Sequence, residues 1–158
     1  MKIKDLDLFL YESNAIEDVR DDRSFRQAKK AWNYLIKQDT LTPENIQHAH
    51  GILMKYHLPP EEAGHFRKCA VWIGGREAMP WVFVPSQMET LCFMANLSKT
   101  EDQIKEDHIK FERCHGFVDG NGRIFRIVLN WQRVKNKLPI LVIEEATKYE
   151  SYYPWFSL

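Results

Sequence analysis

The sequence predicts an all-α domain carrying a short β-hairpin flap, on three observations. Apolar residues recur at helical spacing through most of the chain. Thr, Ser and Pro punctuate those stretches where helices should begin. One stretch, residues 71–84, abandons the helical period for β-branched and aromatic runs around glycines.

Taken in order, Ser13 by itself reads as an N-cap, with Glu17 and Asp18 favouring the dipole of a first turn. Phe25, Ala28, Trp32, Leu35 and Ile36 form a stripe that either extends that helix or restarts after Asp21 and Asp22. Thr42-Pro43-Glu44 places a capping hydroxyl, a proline at the first helical position and an acid in the first turn. Ile46, Ala49, His50 and Leu53 follow on the inner face, so His50 is expected in the core; His48, His50 and His57 show no metal-ligand spacing. Val71-Trp72-Ile73 and Trp81-Val82-Phe83-Val84 are the two expected strands, with Gly74-Gly75 and Met79-Pro80 in a long tip. Ser86 is expected to cap a helix bearing Met88, Leu91, Cys92 and Ala95, and another helix should span about 100–114. A last stripe, Ile124, Ile127, Val128, Trp131 and Val134, marks an amphipathic helix.

Composition excludes several classes. The chain has 158 residues, enough for a single domain that buries about 68–70 per cent of its unfolded surface. Its 22 basic and 22 acidic residues balance, leaving no electrostatic footprint for nucleic acid or an anionic membrane. Three cysteines, Cys69, Cys92 and Cys114, have neither the number nor the spacing of a disulfide framework or zinc site. No apolar run approaches the ~20 residues of a membrane span. The N-terminal Met-Lys-Ile-Lys-Asp has no apolar signal core, which fits a cytoplasmic protein, or one in a host cytosol if exported.

Function concentrates in His115-Gly116-Phe117-Val118-Asp119-Gly120-Asn121-Gly122-Arg123-Ile124-Phe125-Arg126. The Gly-flanked loop leads into the helix that bears the last stripe, so its amides gather at a helix N-terminus, where anions are favoured. Arg123 and Arg126, three apart, are neighbours on the first turns and can bond the same anion. His115 is a general-base candidate and Asp119 a hard-cation ligand. The combination suits a metal–triphosphate with a deprotonation beside it.

That segment resembles the Fic family signature, H-x-F-x-(D/E)-G-N-G-R-x-x-R, at every fixed position. Gly64-His65-Phe66-Arg67 followed by Val71-Trp72-Ile73-Gly74-Gly75 resembles the family's G-x-(F/Y)-R and flap, Pro85-Ser86-Gln87-Met88 the helix after it, and Leu138-Pro139-Ile140 with Tyr152-Tyr153 its tail. About residues 10–155 can be laid on such a protein. The resemblance implies one Fic domain over residues 1–158, with an N-terminal inhibitory region at about 8–37 and a catalytic core at about 42–156. It also implies transfer of AMP from Mg²⁺-bound ATP to a Ser, Thr or Tyr hydroxyl of a target protein. By position, His115 would be the base and Asp119 would ligate Mg²⁺. Gly120, Asn121 and Gly122 would form the anion nest, with the Asn121 side chain near the α-phosphate, and Arg123 and Arg126 would neutralise the outer phosphates. Phe117 would pack into the core and fix the loop. The flap residues Trp72, Ile73, Gly74, Gly75, Trp81 and Phe83 would dock the target as an added strand, and Tyr152 or Tyr153 would stack on adenine.

The chain departs from the family pattern at Gly116, usually Pro; at Cys114, usually aliphatic; and at the bulky Phe125. Gly122 speaks against the phosphorylating relatives, which carry Lys there. Upstream, Ser13-Asn14-Ala15-Ile16-Glu17-Asp18 resembles the inhibitory motif (S/T)-x-x-x-E-(G/N), with Asp18 in place of Gly or Asn. By that resemblance Glu17 would occupy Arg126 and block a productive γ-phosphate pose. Removal of AMP or transfer of another nucleotide by the same site, and a catalytically idle nucleotide-binding module, are the alternatives. The sequence leaves a homodimer open.

Overall fold

The computed structural model describes residues 3–157, which form seven α-helices and one two-stranded hairpin. The expected helical class with a small flap is what is found. The helices are α1 (Ile3–Ile16), α2 (Asp22–Leu35), α3 (Pro43–Leu53), α4 (Val84–Leu97), α5 (Glu101–Cys114), α6 (Asn121–Lys135) and α7 (Lys148–Ser151). The hairpin joins β1 (Trp72–Ile73) to β2 (Arg76–Glu77).

Side-chain caps explain three of the helix starts. The Asp21 carboxylate accepts the Ser24 N–H at 2.9 Å, so the second stripe is a restart rather than a continuation. Thr42 caps α3 through the Asn45 N–H at 3.1 Å, with Pro43 behind it. Thr100 and Gln103 close a reciprocal capping box on α5. Ser13 is no N-cap: it lies in the last turn of α1. That helix ends in a Schellman motif, with Val19 N–H on Asn14 O and Asp18 N–H on Ala15 O, both at 3.0 Å, and Asp18 at φ 61°. Ser86 is not a cap either; it sits inside the first turn of α4 and its hydroxyl donates to Phe83 O at 3.1 Å.

α6 is the central element. Every residue from Asn121 to Arg133 except Gly122 is buried, so the helix is enclosed on all faces rather than amphipathic. It packs along α5 and also meets α1 and α3. The main core joins Phe9, Leu10, Trp32, Ile46, Phe111, Phe117 and Phe125 from five helices and the motif loop. The bulky Phe125 belongs there, stacked on Phe111 with ring centroids 5.2 Å apart. A smaller core joins Ile16, Ile104, Leu129, Ile143 and Tyr152.

The flap is tighter than expected. Trp72 pairs with Glu77 and Ile73 with Arg76, leaving Gly74 and Gly75 as a two-residue turn, both at positive φ as a type I′ turn requires. Trp81-Val82-Phe83 is a 3₁₀ turn leading into α4 rather than the second strand. With the register set by the glycine pair, the partners of β1 are the residues immediately after the turn, and Pro80 and Pro85 favour a turn and a helix start beyond them. Trp72, Val82 and Phe83 are 63, 59 and 58 per cent exposed, and Ile73 and Trp81 are also open to solvent.

Candidate active site

The motif loop connects the C-terminus of α5 to the N-terminus of α6 and is held from three sides. His115 ends α5 in the left-handed region at φ 49°. Its Nδ1 lies 3.1 Å from Glu112 O, so Nδ1 carries the proton and Nε2 is left as a bare acceptor. Partial burial holds the imidazole below its ordinary pKa, against the Glu112 carbonyl, so it is neutral and basic near pH 7. The buried Arg67 clamps the loop to the base of the flap, donating to His115 O at 2.6 Å, Met79 O at 2.6 Å and Cys69 O at 2.9 Å. His50 accepts the Gly64 N–H on Nδ1 and donates through Nε2 to Asp119 O at 2.8 Å, its ring stacked 3.7 Å from Phe117. Burial drops its pKa to about 4, so it is a neutral structural strut, the core residue the sequence suggested.

Asn121 is placed differently from expected. Its side-chain oxygen accepts the Phe117 N–H at 2.9 Å and its NH₂ donates to Phe117 O at 2.8 Å. The amide therefore closes the loop on itself, and Asn121 offers an anion its backbone N–H. The start of α6 belongs to Gly120 as N-cap at φ 81°, and no side chain caps the first turn. Phe117 is fully buried, as expected.

The two arginines differ. Arg123 is buried with its Nε unpartnered among the described residues; the Asp119 carboxylate lies 3.7 Å from Nη2, and Glu17 adds a weaker attraction. Arg126 donates from Nε to Ser13 Oγ and from Nη2 to Ser13 O, both at 2.9 Å, and from Nη2 to Glu17 Oε1 at 2.8 Å. Residues 109 and 113 positions apart in sequence thus meet. Gly122 makes room for this contact: a Cβ there would lie 2.5 Å from Glu17 Oε1 and 2.8 Å from Arg126 Nη1.

Around this lies a cleft of about 1240 Å³. The loop forms its floor, the flap from Ile73 to Met79 one wall, and Tyr152, Tyr153 and Phe156 another. Glu112, which sequence reasoning passed over, also faces it. Burial raises its carboxyl to about pH 7, with Arg126 pulling down and Glu17 pushing up. Its Oε1 has no hydrogen-bond partner and lies 3.9 Å from His108 Nε2, which accepts from the Tyr152 hydroxyl at 2.7 Å. The only sequence signal for Arg67 was its place in the Gly64-His65-Phe66-Arg67 resemblance; Glu112 had none.

The arrangement can bind a polyanion at the α6 N-terminus and at Arg123, and can take a proton at His115 Nε2. Among the described residues no three His, Cys, Asp or Glu gather to hold a metal by themselves. Asp119, exposed at the rim with Oδ1 on the Gly120 N–H at 2.7 Å, is one carboxylate, which fits a Mg²⁺ that arrives with phosphate oxygens. No described helix is long and apolar enough to cross a membrane.

Comparison with known proteins bears on the family and the fold. The Fic/DOC family model matches residues 40–132. A probable protein adenylyltransferase of Aquifex aeolicus is 30% identical over 80% of this chain and 42% of its own length. The protein adenylyltransferase Fic of Aedes aegypti is 26% identical over 73% of this chain and 24% of its own. The solved structure of Caenorhabditis elegans Fic-1 (residues 134–508) superposes with a TM-score of 0.83 at 20% identity, over 98% of this chain and 56% of that one. At that identity the likeness is one of fold. The chain spans about half that structure and less than half of these curated relatives.

Proposed function

The chain belongs to the Fic/DOC family, and on that footing we propose that it transfers AMP from ATP to a hydroxyl side chain of a target protein. The observation that carries the reading is the joint placement of a neutral, Nε2-basic His115 and an under-satisfied, buried Arg123 on the floor of one cleft. The phosphates lie on the α6 N-terminal amides, with Arg123 and, once it is free, Arg126 taking the charge that develops on pyrophosphate. The flap edge receives the target backbone and presents its hydroxyl to His115. His115 Nε2 takes the hydroxyl proton as oxygen bonds to the α-phosphorus, and the bond from that phosphorus to the bridging oxygen breaks, releasing pyrophosphate. Asp119 would hold Mg²⁺ together with the phosphates, and the ion, when bound, would neutralise charge on them. Glu17 restrains the reaction, because a carboxylate and a phosphate compete for one guanidinium.

The test is intact mass after incubation with ATP and Mg²⁺, for the wild type, Glu17→Gly and Glu17→Gly/His115→Ala, with ATP binding followed by calorimetry. The expected result is one added AMP on Glu17→Gly, little on the wild type, and a loss of ~10²–10⁴-fold in rate with His115→Ala while ATP still binds. A Glu17→Gly chain that fails to bind ATP would overturn the reading in favour of an idle module.

A further inference from the structure

The contact between Glu17 and Arg126 does not explain its own persistence. The Glu17 side chain is 38% exposed, and a partly exposed ion pair must offset the entropy of holding a long side chain in place. Arg126 holds Ser13 through its hydroxyl and carbonyl, but the turn from there to Glu17 needs a further anchor to stay over the cleft.

We infer that the segment 145–156 is a latch that holds Glu17 in the cleft, making Glu12, Ile16 and Lys148 positioning residues of the inhibitory contact although none touches Arg126. This rests on the reading that Glu17 restrains transfer. Three observations place the latch. Glu12 Oε2 accepts the Glu145 N–H at 2.8 Å. Lys148 Nζ donates to Ile16 O at 3.4 Å, a cation on a carbonyl at the C-terminal end of α1, where the dipole favours it. Ile16, the residue before Glu17, is buried in the smaller core with Ile143 and Tyr152, against Trp155 and Phe156.

The latch is separable from the fold. The body of α1 is anchored in the main core by Leu6, Phe9 and Leu10, independently of its last turn. Freeing the last turn is therefore a local opening, not global unfolding. Tyr152, Tyr153 and Phe156 of the same segment also wall the cleft. Occupation of that wall and release of Glu17 thus bias one element, and such coupling is reciprocal.

The experiment replaces both polar links, Glu12→Ala/Lys148→Ala, in the wild type and in Glu17→Gly, leaving Ile16 and both cores intact. The first readout is hydrogen exchange at the amides of Glu17, Asp18 and Val19, which now donate to Asn14 and Ala15 carbonyls. The second is AMP incorporated from ATP and Mg²⁺. Exchange at those three amides should rise ~10-fold or more, with protection around Leu10 unchanged, as for a local opening worth one decade in equilibrium. AMP incorporation should move toward the Glu17→Gly level, and the latch substitutions should add nothing once Glu17 is gone. Unchanged exchange overturns the latch, as does faster exchange with incorporation still at the wild-type level while Glu17→Gly is active. An inactive Glu17→Gly chain instead overturns the restraint reading, and the exchange result then decides the latch alone.

Discussion

Arg123 and Arg126 leave one buried helix three residues apart, yet the two halves of the cradle they define are in opposite states. Around Arg123 the chain supplies too little: an unpartnered Nε and a loose pair to the exposed Asp119 carboxylate. Around Arg126 it supplies an acceptor set of its own, from Ser13 and Glu17. Burial alone therefore does not make a binding group. A buried cation left short of acceptors is poised for an external anion, and one already satisfied must first be released.

Calorimetry with Mg²⁺ and ATP can break this comparison. Arg123→Ala should weaken binding about 10–100-fold in both the wild type and Glu17→Gly, the range of one or two hydrogen bonds to a charged group. Arg126→Ala should weaken it only in Glu17→Gly, since in the wild type that guanidinium is occupied. Equal losses from Arg126→Ala in the two backgrounds would mean that both halves are open.

The pH dependence of stability sharpens the Arg126 half. Folded Glu112 keeps its proton up to about pH 7, whereas the unfolded chain releases it near 4.5. Across that window the folded chain binds more protons, so rising pH costs stability through this group. His50 at about 4 and His108 at about 3, both depressed by burial, act in the opposite sense: the unfolded chain binds their protons up to about 6.5. Glu112→Gln removes only the unfavourable term. Its urea-derived stability should therefore gain about 2–3 kcal/mol more than the wild type's between pH 5 and pH 8. The difference should shrink in Glu17→Gly, where one carboxylate facing Glu112 is gone. A wild-type-like profile for Glu112→Gln would show Glu112 already ionised below that window.

The smallest effect concerns Asp18. Its departure from the Gly or Asn of the inhibitory motif has a geometric reading: the position takes φ 61° at the end of α1, where Gly and Asn are easiest and Asp is tolerated. Asp18→Gly should raise stability by about 0.5–1 kcal/mol, seen as a higher melting temperature. A lower one would give the contact from Arg20 to Asp18 more weight than the backbone.

Legibility in the sequence followed the range of the interactions. Thr42 with Pro43, and Thr100 with Gln103, were readable because a capping bond spans three residues. The motif loop was readable because its glycines, arginines and histidine lie within twelve positions. The second flap strand was misplaced because Trp81, Val82 and Phe83 have strand propensity but no partner: the glycine turn had already assigned β1 to Arg76 and Glu77. Asn121, expected in the loop, instead opens α6, and the direction its amide faces was not legible.

By itself, then, the sequence determined the helical class, the chemistry gathered between His115 and Arg126, and the candidacy of Glu17 for Arg126. Tertiary structure decided what each group is free to do. It saturates Arg126 from the end of α1, leaves Arg123 short of partners, fixes the His115 tautomer, and brings Arg67 and Glu112 to the loop. The reason is physical: a residue's type sets which bonds it can make, but burial and the partners it meets set which are already made.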